Sequence, residues 1–436
     1  MRGVKWVLWL TAAGAALAQP AIPQEEYRAR RAELRKALPE GIVALFGRTE
    51  KREPDETMPA FRQDASFLYL TGWEEPGAAL LLWPPSGEAL FLPVRDERAD
   101  RYTGRKTTAE DPNARAVTGF EEVLPQTKLE GRLLSLADSH PKIYALAEQA
   151  PRWKELLPLR EVLDARPAIA RLRMKKSARE IELIQKSIDV TVAAQRAAWK
   201  RARPGAFEYE VAAAFTAAVM ERGCANGFPP IVASGPNGPT LHYWRNSRRI
   251  ETGELLVMDV GAECSGYTAD LTRTLPISGK FTARQKELYE IVLGAQRAIL
   301  AAIKPGIVQG LKRDTPNSLY KVACDYIESH GQRLLHGVSH HVGLRVHDAG
   351  TADQPLEAGM VVTVEPGIYL PEENLGIRIE DMVLVTESGA TVLSGALPKE
   401  AAEIEKAMAG SEPRPQGAVP PASPRRLTRA PQAYLK

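Results

Sequence analysis

The stretch LLVMDVGAECSGYTADLTRTLPI, Leu255 to Ile277, limits the possible folds of this chain more than any other. It reads as a tight β-hairpin with one carboxylate on each arm. With the turn centred between Cys264 and Ser265, Asp259 falls directly opposite Asp270 and both side chains share a face. Opposed residues of an antiparallel pair have Cβ atoms ~4.5–5.5 Å apart, and two like charges there destabilise the sheet unless something neutralises them. A cation is the usual remedy. The same pattern returns where VVTVEPGIYL and GIRIEDMVLV flank the loop Pro371 to Asn374, which sets Glu365 opposite Glu380. The alternative is that these acids face solvent or pair with nearby bases such as Arg273 and Arg378. Two apolar hairpins, each with an opposed acidic pair, argue instead for one acidic centre.

The segments around these hairpins predict a duplicated domain. Ser177 and Glu180 form a capping box that opens a helix to about Arg201, Pro204-Gly205 breaks it, and a second helix runs from Glu208 to Arg222. Thr282 and Gln285 open another helix to Ile303, Pro305-Gly306 breaks it, and a helix from Leu319 to Ser329 stops at Gly331. Each helix pair precedes an acidic hairpin, so a pseudo-two-fold arrangement would bring the two hairpins together at its centre.

Upstream, a basic helix (QEEYRARRAELRKAL) gives way to the runs GIVALFG, AALLLWPP and EALFLPV, an alternation that predicts a smaller α/β domain. Within it, Phe61 to Leu82 is dense in aromatic and turn residues. The expected organisation is a signal peptide over 1–18, an amino-terminal α/β domain over 23–166, a duplicated catalytic domain over 174–409 and a disordered proline-rich tail over 410–436. The overall class is α/β (α+β). Arg2 and Lys5 before a short apolar core, then Ala16-Leu17-Ala18, carry the signal-peptide reading, and the core is short for a membrane span. Cleavage would leave an exported protein, periplasmic or secreted, with no stable membrane span. Cys224, Cys264 and Cys324 are odd in number and include no CxxC, so they are expected to be small buried hydrophobes rather than a disulfide framework. A length of 436 residues and a formal charge of +3, with no basic run interleaved with aromatics, give no sign of nucleic-acid binding.

Between the hairpins, LHGVSHHVGLRVHD holds His336, His340, His341 and His347, four of the seven histidines of the chain. No Glu follows His336, so this is not the HExxH pattern, and Gly337 and Gly343 favour loop and strand over helix. Oxygen-rich donors with a single imidazole suit manganese, with cobalt, zinc or iron able to substitute. Two such ions, four carboxylates balancing four positive charges, can activate a water and polarise a carbonyl for amide hydrolysis.

From Pro23 to about Ala409 the chain resembles the aminopeptidase P group, the Xaa-Pro aminopeptidases of the pita-bread metallopeptidase family. The motifs MDVGAE, YTADLTRT, HGVSHHVGLRVHD, VEPGIY and GIRIEDMVLV carry the resemblance. It implies Asp259, Asp270, His340, Glu365 and Glu380 as ligands of two metal ions, with Asp270 and Glu380 shared, Asp259 on one ion, and His340 and Glu365 on the other. It also implies Glu365 as proton shuttle, His242 and His347 as catalytic and substrate contacts, His336 lining the site, and Tyr369 and Arg378 as supporting and substrate-binding residues. Implied substrates are peptides with proline at the second position, and the implied assembly is a homodimer or homotetramer. The segment Phe61 to Leu82 and the Ser339-His340 pair resemble aminopeptidase P more than prolidase, an Xaa-Pro dipeptidase. Arg345 and His341 depart from the residue types common in the family. The remaining alternatives are a catalytically inactive pita-bread binding module and a creatinase-like hydrolase.

Overall fold

The computed structural model describes residues 22–50 and 61–409. The expected signal peptide (1–18) and proline-rich tail (410–436) lie outside the described residues.

Six strands form the amino-terminal sheet: β1 (Gly41–Phe46), β2 (Ala79–Trp83), β3 (Gly87–Leu92), β4 (Val123–Pro125), β5 (Lys142–Ala145) and β6 (Glu161–Asp164). Their order is β4-β3-β2-β1-β5-β6, antiparallel across β1, β2 and β3 and parallel at both edges. The sequence of β1, GIVALF, is apolar throughout because both faces are covered. Ile42, Ala44 and Phe46 share a core with Leu133 and Trp153, whereas Val43 and Leu45 belong to the core that continues into the second domain. In the aromatic segment, Asp64 accepts the Ser66 and Phe67 N–H groups at 2.8 and 2.9 Å, capping the helix Ala65–Thr71. The helix ends at Gly72, and Phe67, Tyr69 and Trp73 are buried. The domains are tied at several points: the Tyr69 hydroxyl donates to Leu172 O at 3.1 Å, the Ser177 hydroxyl to Glu26 at 2.8 Å, and Arg30 pairs with Glu180 at 3.2 Å. The helix Arg166–Met174 fills the gap between the two expected domains.

The second domain has the duplicated order. The helices Ala178–Trp199 and Glu208–Met220 precede a three-stranded antiparallel sheet of Ile231–Ser234, Leu255–Val260 and Leu271–Pro276. The helices Ala283–Ala302 and Leu319–Ser329 precede a second sheet of Val361–Val364, Asp381–Val385 and Ala390–Val392, and the hairpin Gly367–Leu370 with Leu375–Arg378. Ser177 with Glu180, and Thr282 with Gln285, form the two expected capping boxes. The halves meet where Glu380 N–H donates to Thr272 O at 3.0 Å and the Thr274 hydroxyl donates to Arg378 O at 3.0 Å. This junction brings both acidic hairpins to the centre.

The second hairpin has the expected register. Gly367 pairs with Arg378 on one side and Val364 with Asp381 on the other, which leaves Glu365 opposed to Glu380 in the interval between the two ladders. The first hairpin corrects the expectation. Cys264 pairs with Tyr267, and Ser265 and Gly266, with φ of 52° and 82°, form the turn. Two consecutive positive φ values are those of a type I′ hairpin turn, which matches strand twist, and a glycine at the second position makes that turn accessible. Asp259 therefore faces Thr272, not Asp270, and Asp270 lies diagonally from it. The shift is two residues, one pleat period, so both acids remain on one face. At Gly261 a Cβ would lie 1.7 Å from Ala269 O, so the strands approach too closely there for any side chain.

The cysteines also depart from expectation. Cys224 and Cys264 form a disulfide, and only Cys324 is a free, buried thiol. The two-residue strand Ala225–Asn226 pairs with Ala262–Glu263, and continuing that register sets Cys224 opposite Cys264, with Cα atoms 4.8 Å apart. So short a strand leaves no periodic trace in sequence. Opening a loop of this size, with a sequence separation of 40, should cost about 4 kcal/mol by the chain-entropy relation. Thermal unfolding with and without reductant, repeated on Cys224→Ser/Cys264→Ser, should show the same loss of Tm. Indifference to reductant would show that the bond does not form.

Candidate metal centre

The acids at the junction are buried and crowded. Asp270, His340 and Glu380 each offer a donor atom within 4.8 Å of the others. His340 Nε2 lies 3.4 Å from Asp270 Oδ2 and 3.3 Å from Glu365 Oε1. His340 Nδ1 is 3.2 Å from His341 O, an arrangement that assigns the proton to Nδ1 and leaves the Nε2 lone pair aimed at the carboxylates. A lone pair facing two carboxylate oxygens calls for a proton or a metal cation between them.

Two further observations test whether a metal fits. Asp259 Oδ1 and Asp270 Oδ1 are buried without a hydrogen-bond partner among the described residues. Burial, then Asp259 and Glu365, push the Asp270 carboxyl well above its ordinary range. Burial, then Asp270, do the same to Glu380. Without a cation these groups must take up protons, so the residues present fit divalent metal.

Arg378 supplies part of the neutralisation and a supporting chain. Its NH2 donates to Asp259 Oδ2 at 2.6 Å, its Nε to the Thr272 hydroxyl at 3.2 Å and its NH1 to the Tyr369 hydroxyl at 2.8 Å. Tyr369 in turn donates to His336 Nε2 at 2.9 Å, and His336 Nδ1 donates to Gly337 O at 2.7 Å. Burial raises the Tyr369 phenol to about 12 and lowers His336, so this chain is a neutral tyrosine and a neutral imidazole backing one arginine. Thr272 gives its own proton to Glu380 Oε2 at 2.7 Å. Thr363 accepts His340 N–H at 3.0 Å and donates to Glu365 Oε1 at 3.1 Å.

A cavity of about 260 Å³ opens onto the cluster. Asp259, Asp270, His340, Glu365 and Glu380 line it together with His242 and His347, and Phe228, Pro229, Ile231, Trp244 and Val346 give it an apolar component. The His340 and His347 rings meet edge to face with centroids 4.2 Å apart. Of the residues expected at the site, His336, Tyr369 and Arg378 are not among those lining this cavity, and they are joined to it through the bonds of Arg378 to Asp259 and Thr272. His341 is turned away and buried beside Lys176 and Asp348, with its pKa lowered to about 4 by burial and then by Lys176. Arg273, considered above as a partner for the acids, is engaged instead with Asp381 at 2.8 Å, whereas Arg378 does pair with Asp259. Sequence reasoning missed Thr272 and Thr363. Each stands two residues from an acid that lies just beyond the end of its strand, Asp270 and Glu365, so the two-residue period was the available signal.

Buried carboxylates and one imidazole at the meeting of duplicated halves, below a peptide-sized cavity, define a metal-dependent hydrolase. Residues 182–387 match the model of metallopeptidase family M24, and residues 27–144 match that of the aminopeptidase P N-terminal domain. The Xaa-Pro aminopeptidase of Haemophilus influenzae is 35% identical over 89% of this chain and 98% of its own length. Human Xaa-Pro aminopeptidase 3 is 33% identical over 89% and 86%. Among solved structures, a putative aminopeptidase P from Bacillus anthracis aligns with a TM-score of 0.82 at 31% identity, covering 89% of this chain and 98% of that one. Aminopeptidase P from Escherichia coli with the inhibitor Pro-Leu aligns with a TM-score of 0.80 at 28% identity, covering 90% and 99%. The chain belongs to metallopeptidase family M24, in its Xaa-Pro aminopeptidase (aminopeptidase P) group. It is a metallo-exopeptidase with a pita-bread catalytic domain.

The acids also set a pH dependence. In the metal-free protein Asp270 and Glu380 have folded-state pKa values above their unfolded ones. Their contribution to stability is full below the unfolded value of about 4 and is lost as pH rises through the raised folded values. A bound divalent ion removes the cause of the rise. The gain in Tm on adding manganese should therefore be larger at about pH 8 than at about pH 6. Equal gains at both, measured by calorimetry, would contradict this account.

Proposed function

We propose that this protein is a two-metal aminopeptidase that releases the amino-terminal residue from peptides whose second residue is proline. The observation that carries the reading is the convergence of Asp259, Asp270, His340, Glu365 and Glu380 on one cavity. These five would hold two divalent ions, manganese by the donor chemistry, and Asp270 and Glu380, the most deeply buried acids of the set, are suited to sharing both. The ions would supply Lewis-acid polarisation of the scissile carbonyl and activation of water.

The chain's own residues do the rest. Glu365 takes the proton of the attacking water, with its Oε1 held by the Thr363 hydroxyl. An Xaa-Pro bond has no N–H, so recognition cannot use that donor, and the proline nitrogen must be protonated as it leaves. His242 and His347, which line the same cavity, are placed to donate that proton and to hold the substrate carbonyl. Burial and then the neighbouring His340 keep His347 low in pKa, so the proton it would deliver to the proline nitrogen is the one Glu365 has taken from the attacking water, relayed through the imidazole rather than carried by it at the start. The apolar lining residues Phe228, Pro229, Ile231 and Val346 exclude water and accept an apolar ring. The solved Escherichia coli relative, described as carrying the inhibitor Pro-Leu, supports a site shaped for a proline residue followed by another.

Export through the expected signal peptide is part of the proposal, and the Cys224–Cys264 disulfide supports it, since such bonds persist in oxidising compartments. Among the described residues no helix is long and apolar enough to cross a membrane. Assembly as a homodimer or homotetramer rests on the resemblance alone.

Purified enzyme with manganese should cleave Xaa-Pro-Yaa tripeptides and longer Xaa-Pro peptides. Cleavage of Xaa-Pro dipeptides alone would make it a prolidase. Asp270→Ala should lose bound metal by elemental analysis together with turnover, whereas His242→Ala and His347→Ala should retain metal and lose roughly 10²–10⁴ in kcat. Full turnover in both histidine variants would remove their assigned roles.

A further inference from the structure

Beside the segments that carry the cavity-lining residues Phe228 and Val346, the two domains bring together arginines that the reaction does not use. Arg62, from the amino-terminal domain, donates to Gly227 O at 3.3 Å, one residue before Phe228, and pairs with Glu263 of the first hairpin. Arg345 directly precedes Val346 and His347, both of which line the cavity, and donates to Gln63 O at 2.8 Å. Arg48 is near enough to both that its charge lowers the pKa of each.

Among the described residues the carboxylates near these arginines are already engaged, Asp348 with Arg173 and Lys176. Glu263 is taken by Arg62, and Asp64 is committed to capping Ser66 and Phe67 N–H. Among the described residues neither Arg48 nor Arg345 has a carboxylate ion-pair partner. Arg62 and Arg345 are both half-buried, and burial, followed by the Arg48 charge, lowers Arg345, whereas Arg62 has Glu263 as its partner. Guanidinium groups crowded in partial burial and short of anions are stabilised by any carboxylate that docks among them.

We propose that Arg345, with Arg62 and Arg48, forms a carboxylate-binding rim that recognises an anionic group of the peptide on the carboxyl side of the proline. For the shortest substrates that group is the terminal carboxylate of the residue after proline; for longer ones it is an acidic side chain. The rim is built by both domains, one residue in sequence from residues lining the reaction cavity, so a peptide anchored by its amino end at the metal residues extends its other end towards it. The assignment rests on reading the cavity as a peptide site.

The test compares Ala-Pro-Ala, its carboxyl-terminal amide, and Ala-Pro-Glu amide. Wild-type enzyme should show a KM for the free acid lower than that for the amide by about tenfold, and the advantage should shrink in high salt. A matching advantage for the Glu amide over the Ala amide identifies an acidic side chain as the second source of the anion. In Arg345→Gln, which keeps an N–H donor for Gln63 O, the discrimination should collapse, with the change falling on KM rather than kcat. Should that variant fail to fold, the exposed Arg48→Ala reads out the same loss. Equal KM values for acid and both amides in the wild type would overturn the rim. Absence of any Xaa-Pro cleavage would count against the peptidase reading instead, and calorimetric binding of the same three peptides then decides the rim.

Discussion

Mutual repulsion among buried carboxylates is the constraint around which the catalytic domain is arranged. Asp259, Asp270, Glu365 and Glu380 stand at one junction with two oxygens unpartnered among the described residues, an arrangement whose charge is offset by Arg378 and by either protons or divalent metal. Arg378 cannot be replaced by a floating lysine in this scheme. Its planar fork reaches Asp259, Thr272 and Tyr369 at once, and Tyr369 passes the constraint on to His336. The site is thus supported by a neutral chain whose members leave the cavity itself to His242 and His347.

Duplication explains how a chain arrives at such a centre. Each half offers a helix pair and antiparallel strands, and the junction through Thr272, Thr274, Arg378 and Glu380 places the acids of one half against those of the other. Neither half holds the full set. The loop carrying His340 and His347 closes the arrangement, anchored by Thr363, and the amino-terminal domain reaches the same loop through Gln63 and Arg345. The first domain therefore braces the loop that carries two cavity-lining histidines and does not only add to the bulk of the protein.

Much of this was legible in the residues. Capping boxes at Ser177 and Thr282 announce helices because the reciprocal side-chain bonds are local. The opposed acids of the second hairpin follow from a symmetric loop. The first hairpin was read one pleat period out of register because the turn forms at Ser265-Gly266, yet the shared face survived, since a shift of two residues does not change which way a side chain points. The disulfide was not legible, because it depends on a two-residue strand whose pairing is set by the rest of the sheet.

By itself the sequence determined the helix starts, the apolar strands and the facing of the acidic pairs, since all of these follow from local periodicity and capping. The resemblance had already singled out His340 and Arg378; only the tertiary structure decided that His341 turns towards Lys176, that Arg273 serves Asp381 while Arg378 pairs with Asp259, and that Cys224 meets Cys264. Those choices are made between neighbouring residues of like chemistry. What separates them is position relative to segments distant in the chain, where burial and charge are fixed by packing.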